Sequence, residues 1–303
     1  MYQQPTAPQS IGGVLDSAIG LLKAAWIPAL TMAAACAATS SLPSLLAVAM
    51  PEPMITPTPE DITAEFASEY MAASALLLLA YLVSLPFVLL FGLGLIAQMH
   101  ATQRGDLLGW RDALTFAGRR FLHALLCAIL LILATGVAYL GAVFIGVLLF
   151  ATMMVAGAQS TATAVGLVLA LVLFASTPIV VLLVYWGFAL PLIVTRNLDT
   201  FAALGRSWNL VRGHFWRTLL ILTIATFIVA VITILVSFGA FFTAFVPTVS
   251  GQMAILFLIN TLSGMVTTPM FVAVLLAVLH DLSLRRGGDD LHRRIEAVAG
   301  RSP

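Results

Sequence analysis

An all-α polytopic membrane fold of six transmembrane helices follows from three observations on the sequence. Hydrophobic residues make up 61% of the 303 positions and charged residues only 9%, with a mean hydropathy of +1.07, well outside the range of soluble domains. Six apolar blocks, at 27–50, 70–99, 123–151, 164–194, 218–246 and 254–280, each exceed the roughly 20 residues that a hydrocarbon core requires. The blocks also recur in pairs, which predicts three parallel repeats with pseudo-threefold symmetry about an axis along the membrane normal.

Basic residues set the orientation. With a cytoplasmic N-terminus, all 14 Lys and Arg fall inside, together with eight acidic residues, while Glu52, Glu60, Asp61, Glu65 and Glu69 lie outside without a basic partner. This predicts a bacterial cytoplasmic (inner) membrane protein with both termini inside. Residues 1–10, "MYQQPTAPQS", lack the positive region of a secretory signal and are expected to form a disordered leader. Residues 11–286 form one six-span domain. Residues 287–303, with "GGDDLHRRIEAVAG", are expected to be a cytoplasmic tail carrying a short amphipathic helix.

The even-numbered spans carry the repeat most openly: "SLPFVLLFGLGLIAQMHATQRGD", "STPIVVLLVYWGFALPLIVTRNLD" and "TTPMFVAVLLAVLHDLSLRRGGD". Each has Ser or Thr, one residue, Pro, then an apolar run to Arg and Asp. Pro86, Pro178 and Pro269 recur at intervals of 92 and 91. The segments before the odd-numbered spans, "GVLDSAIGLLKAAWIPAL", "LGWRDALTFAGRRFLHALL" and "LDTFAALGRSWNLVRGHFWRTLL", predict amphipathic interfacial helices. The third shows the period best, with Phe201, Leu204, Trp208, Val211 and Phe215 facing away from Arg206 and Asn209. Ser10, Asp106 and Asp199 are placed to cap these helices. Each repeat, at about 11–104, 105–196 and 197–286, is thus an interfacial helix followed by two spans.

Proline inside a span frees a carbonyl, here of Leu82, Phe174 and Met265, and Ser84, Ser176 and Thr267 stand two residues earlier where a hydroxyl re-satisfies local backbone groups. Ser84 with Pro86, Ser176 with Pro178 and Thr267 with Pro269 are therefore candidate hinge or packing positions. Either they shape an outward-facing cavity or they let the spans pack around a common axis. Pro191 has no counterpart in the other repeats and is expected to bend the inner end of its span.

No Asp, Glu, Lys or Arg lies within an assigned span, which argues against ion-coupled carriers and intramembrane hydrolases. Asn260 is the one side-chain amide deep in a span, a candidate polar contact expected to bond to a neighbouring helix. His100, His123, His214 and His280 cluster near the cytoplasmic boundary without ligand or triad spacing. Cys36 and Cys127 read as small core residues, so no metal or cofactor is expected. Ala134, Ala138, Ala142 and Gly146 make a small-residue stripe suited to close helix packing. Trp26, Trp110, Trp208 and Trp216 flank inner span ends as a headgroup belt does. With them, Arg119, Arg120, Arg206 and Arg212 are candidate lipid-headgroup contacts. In the outer loop Thr58, Pro59 and Asp61 read as a helix start. Basic content this small gives no case for nucleic acid.

The most specific motif is Arg206, Ser207, Trp208, Leu210, Val211, Arg212 and Gly213, followed by Phe215, Trp216 and Arg217. With "IGGVLDSAIGLLKAAWIPAL", it makes residues 11–285 resemble a broad bacterial family of six-span proteins that includes the membrane domain of glycerophosphodiester phosphodiesterases. That family commonly has an acid after the fourth span, where this chain has "TRN". The resemblance implies a non-catalytic membrane module. Two functions follow as expectations: a non-enzymatic scaffold or lipid-binding module in envelope and lipid homeostasis, with membrane lipids as partners, or an uncoupled transporter or channel for a small or amphipathic solute. Without a nucleophile, acid or metal site in the spans, an enzyme is not expected.

Overall fold

The computed structural model describes residues 2–46, 64–155 and 176–299. Among these, every regular element is helical: α1 (Ile11–Leu46), α2 (Ala64–Gln103), α3 (Trp110–Val155), α4 (176–186), α5 (Ala189–Arg196), α6 (Thr200–Val211), α7 (Phe215–Ser237), a 3-10 segment (Phe238–Phe245) and α8 (Val249–Ala299). Six stretches are long and apolar enough to cross a membrane: Ile11–Pro43, Tyr70–Gln103, Trp110–Leu148, Ser176–Arg196, Phe215–Thr243 and Ser250–Arg286. The chain is an all-α multi-pass membrane protein. Thr58, Pro59 and Asp61 lie outside the described residues.

The chain divides into two compact units. In the first, residues 1–121 with 220–303, α1 packs against α2 and α8. Its buried stripe is Val14, Ala18, Leu21, Ala25, Ala29, Met32 and Cys36, a spacing of three and four that keeps one helix face inward. Small residues let the backbones approach. A Cβ on Gly264 would lie 2.8 Å from the Ala37 Cβ, and one on Gly94 would lie 3.1 Å from the Met32 sulfur. Lipid tails are as apolar as leucine, so close contact of this kind supplies much of the association between spans.

In the second unit, residues 122–219, the fourth span is broken into α4 and α5. The Gly187 N–H donates to the Leu183 carbonyl at 2.8 Å, and a Cβ at Gly187 would run into that same oxygen. Only glycine fits the turn. Pro191 is the third residue of α5, inside a first turn whose N–H groups have no intrahelical acceptor, so it costs no bond there. The bend expected from Pro191 is therefore a break at Gly187–Phe188. Along α3, Ala142 and Gly146 are buried and Ala134 and Ala138 half-buried, while Val137, Leu140 and Phe144 are exposed. The small-residue stripe faces protein and the large side chains face outward.

Two expectations on local structure change. A separate opening helix precedes only the third pair of spans; α1 and α3 run from the opening segment into the span unbroken. The reason is Gly213, with φ +94°, between Arg212 and Phe215. Between the corresponding basic and aromatic residues, from Lys23 to Trp26 and from Arg120 to Phe121, there is no glycine to turn the chain. The C-terminal helix is likewise no separate element, because α8 continues through Gly287 and Gly288 to Ala299.

Candidate functional site

The motif around Trp208 builds the more exposed of two polar constellations. α6 is pinned at both ends within its unit. The Thr200 hydroxyl donates to the His123 carbonyl at 2.7 Å, and His123 Nε2 lies 3.2 Å from Asp199 Oδ1. Asp199 has the extended backbone of an N-cap but makes no capping bond with its side chain, because that carboxylate turns to His123 instead. Towards the other end, Ser207 is fully buried and donates to the Tyr185 carbonyl at 2.6 Å. Tyr185 sits at the end of α4, where the break leaves carbonyls without intrahelical donors. Trp208 stacks on the Tyr185 ring with centroids 4.1 Å apart, Phe215 lies 5.4 Å from the same ring, and Trp186 lies 6.5 Å from Trp208.

The apolar face expected of α6 is divided: its aromatic residues turn outward while Leu210 and Val211 turn inward. Thr200, Ala203, Ser207, Leu210 and Val211 are buried, whereas Phe201 is 72% exposed and Trp208 39%. Arg206, Asn209 and Arg212 are exposed as well. Trp216, packed edge-on to Phe215 at 5.4 Å, is 79% exposed. Small, polar and aliphatic residues dock this helix on the protein, and aromatic and basic ones are exposed. Such a pattern suits a helix lying in the headgroup region. In the first unit Arg119 is exposed and Arg120 half-buried, and Arg111 lies over the Trp110 ring at 5.1 Å.

A second constellation escaped sequence reasoning. Asp281, 2% exposed, accepts from the Gln9 N–H at 2.8 Å and from Arg285 Nε at 2.9 Å. Arg285 Nη2 donates to the Gln9 carbonyl at 2.6 Å. His280 Nε2 is 2.8 Å from the Pro5 carbonyl, and its Nδ1 is 3.0 Å from Gln4 Nε2. With Nε2 donating to Pro5, Nδ1 accepts from Gln4. The leader expected to be disordered is thus held by residues 280–285 of α8. Ser10 caps α1, accepting the Gly13 N–H at 3.1 Å.

Gln98 does a related service on α2. It is 1% exposed and donates to the Leu108 carbonyl at 3.4 Å. Asp106 belongs to the end of α2 and does not cap α3. Its N–H reaches the Ala101 carbonyl at 3.0 Å while that of Gly105, φ +88°, reaches Thr102 at 3.0 Å, a Schellman closure.

The hinge candidates divide. Ser84 donates to the Tyr81 carbonyl at 2.9 Å and Thr267 to Ser263 at 2.9 Å. Both bond the local backbone, but neither bonds the carbonyl freed by its proline. Pro86 and Pro269 sit inside unbroken helices, and Ser176 and Pro178 lie in the first turn described of α4. Asn260 is exposed and makes no hydrogen bond among the described residues, so the interhelical bond expected of it is not among the contacts there, although it stands one turn before Gly264 on α8. Among the described residues no group of His, Cys, Asp and Glu is arranged to hold a metal.

A family model, the domain of unknown function DUF7847, matches residues 10–280. That match carries no link to glycerophosphodiester phosphodiesterases. No curated protein matches the chain, and no solved structure does.

Proposed function

The chain belongs to the DUF7847 family, and from that premise we propose that it is a non-enzymatic lipid-binding module of the bacterial inner membrane, with both termini cytoplasmic, serving envelope and lipid homeostasis. The outward aromatic face of α6, with Phe201 and Trp208 exposed beside Arg206 and Arg212, carries the proposal. An aromatic ring buries its body at the acyl boundary while a guanidinium reaches phosphate. The placement of all 14 basic residues on one side supports the orientation.

The three-repeat architecture belongs to the same proposal, and two quasi-equivalent contacts support it. Gln98 and Asp281 each stand 12 residues after their repeat proline. Each bonds the residue two positions before an opening helix: Leu108 before α3, and Gln9 before α1. In this reading the leader stands to α8 and α1 as residues 104–109 stand to α2 and α3. Leu190 stands at the third equivalent position and carries no such group.

Native mass spectrometry of the full chain from mild detergent tests the lipid assignment. Phosphatidylglycerol is expected to be retained, and Arg206→Gln with Arg212→Gln should lower its retention by about 30-fold, two basic residues at about 1 kcal/mol each. Equal retention by the variant and the unaltered chain would overturn the assignment to this face.

A further inference from the structure

The leader does more than close the chain. Between it and the first turns of α1 lies a trough of about 690 Å³, lined by Tyr2, Gln3 and Gln9 from the leader and by Asp16, Ser17 and Lys23, among others, from α1. Gly13, Gly20 and Ala24 contribute to its lining, and a Cβ on Gly20 would come within 3.6 Å of the Tyr2 ring. Ser17 donates to Gln9 Oε1 at 2.8 Å, which holds the wall in place. Burial raises the Tyr2 phenol above its ordinary value, so it is a neutral hydrogen-bond donor at physiological pH.

Two opposite charges share this trough. Asp16 and Lys23 are both exposed, and neither makes an ion pair or hydrogen bond among the described residues. They are seven residues apart, two helical turns on one face, which separates their backbones by about 10 Å along α1. Lys23 is the nearer to the apolar stretch that begins beyond Trp26, and Asp16 is the farther from it. A carboxylate and an ammonium kept apart in one polar groove complement a ligand with both signs. The order along the helix sets which end is which: an anion towards the bilayer and a cation towards water.

We propose that this trough binds a phosphate joined to a primary ammonium, as in a phosphoethanolamine headgroup, with Lys23 at the phosphate and Asp16 at the ammonium. Tyr2 and Gln3 supply further hydrogen bonds, and the contacts of the leader with Asp281, His280 and Arg285 keep the wall closed. The site rests on the lipid-binding reading for the level at which α1 meets the bilayer. It is separate from the α6 surface in residues and in ligand charge.

The full chain in nanodiscs of phosphatidylcholine, doped with phosphatidylethanolamine or phosphatidylglycerol, gives the test. Phosphatidylethanolamine retention is expected to fall by about fivefold in Lys23→Gln and in Asp16→Asn, the worth of one headgroup contact. Phosphatidylglycerol should not respond to Asp16→Asn, and phosphatidylcholine, whose quaternary ammonium has no N–H to give a carboxylate, should be retained less than phosphatidylethanolamine. Titration with soluble phosphoethanolamine separates the sources: displacement of the lipid means that the head alone suffices, and no displacement with lipid retained means that the membrane must supply it. Both support the site. Unchanged phosphatidylethanolamine retention in both single variants would overturn it, whatever Arg206→Gln and Arg212→Gln do to phosphatidylglycerol. Because both substituted side chains are exposed, an unshifted thermal transition is expected to accompany the loss.

Discussion

Replacing Asp281 by Asn keeps the shape of the side chain and removes its charge, which isolates what the carboxylate contributes to holding the leader. Its oxygens accept from the Gln9 N–H at 2.8 Å and from Arg285 Nε at 2.9 Å, and the residue is 2% exposed. A hydrogen bond to a charged group contributes about 1.5–3 kcal/mol. Breaking a fully buried ion pair costs about 3–5 kcal/mol, an upper bound here because the Arg285 side chain is 25% exposed and solvent screens it. About 2 kcal/mol of leader docking is therefore expected to be lost. Since 1.36 kcal/mol corresponds to a factor of ten, the Gln9 amide should exchange its hydrogen about 30-fold faster. Hydrogen–deuterium exchange of the peptide covering residues 2–13 reads this directly. Arg285→Gln should have an effect of similar size, and the double variant should fall short of the sum, because both changes break one network. Exchange at Gln9 within about twofold of the unaltered chain would refute the reasoning that Asp281 anchors the leader.

Ser207→Ala leaves the Tyr185 carbonyl without its donor and is expected to destabilise the second unit by about 1–3 kcal/mol, seen as a lower thermal transition in detergent with loss of the Trp208–Tyr185 stacking signal in near-ultraviolet circular dichroism. Gly264→Ala places a methyl 2.8 Å from the Ala37 Cβ and should cost about 1–3 kcal/mol by forcing α1 and α8 apart, measured by chemical denaturation in mixed micelles. Gly187→Ala should destabilise by a similar amount, since its Cβ meets the rigid backbone of Leu183, whereas Pro191→Ala, in the first turn of α5, should shift the same transition by less than about 0.5 kcal/mol.

The six spans were legible because hydrophobic length is a property of each segment alone, and every observed span overlaps the block that predicts it. The Arg206–Trp208 motif was legible as a helix for the same reason: a period of 3.6 needs no knowledge of partners. What the period could not tell was how the helix docks. Ser207 looks like any small polar residue until Gly187 breaks α4 and leaves the Tyr185 carbonyl to be met. Asp281 was harder, since its partner Gln9 is 272 positions away and nothing local marks it. The one available signal was spacing, since Asp281 and Gln98 each stand 12 residues after a proline that follows Ser or Thr by two. Helix continuity through α1 and α3 turned on a single glycine, because the opening segments look alike in apolar pattern and differ where Gly213 turns the chain.

The most direct test of the interfacial placement of α6 compares spin labels at two of its positions. In a chain with Cys36 and Cys127 replaced by Ala, labels are attached at Phe201→Cys and Arg206→Cys, and their collisions with oxygen and with a water-soluble nickel chelate are measured in phosphatidylglycerol-containing bilayers. A label at 201 is expected to sit about 5–10 Å into the headgroup and acyl boundary, favouring oxygen over the chelate, while the label at 206 favours the chelate. Equal preference at the two sites, or a label at 201 open to the chelate, would contradict a helix that faces lipid with Phe201 and Trp208.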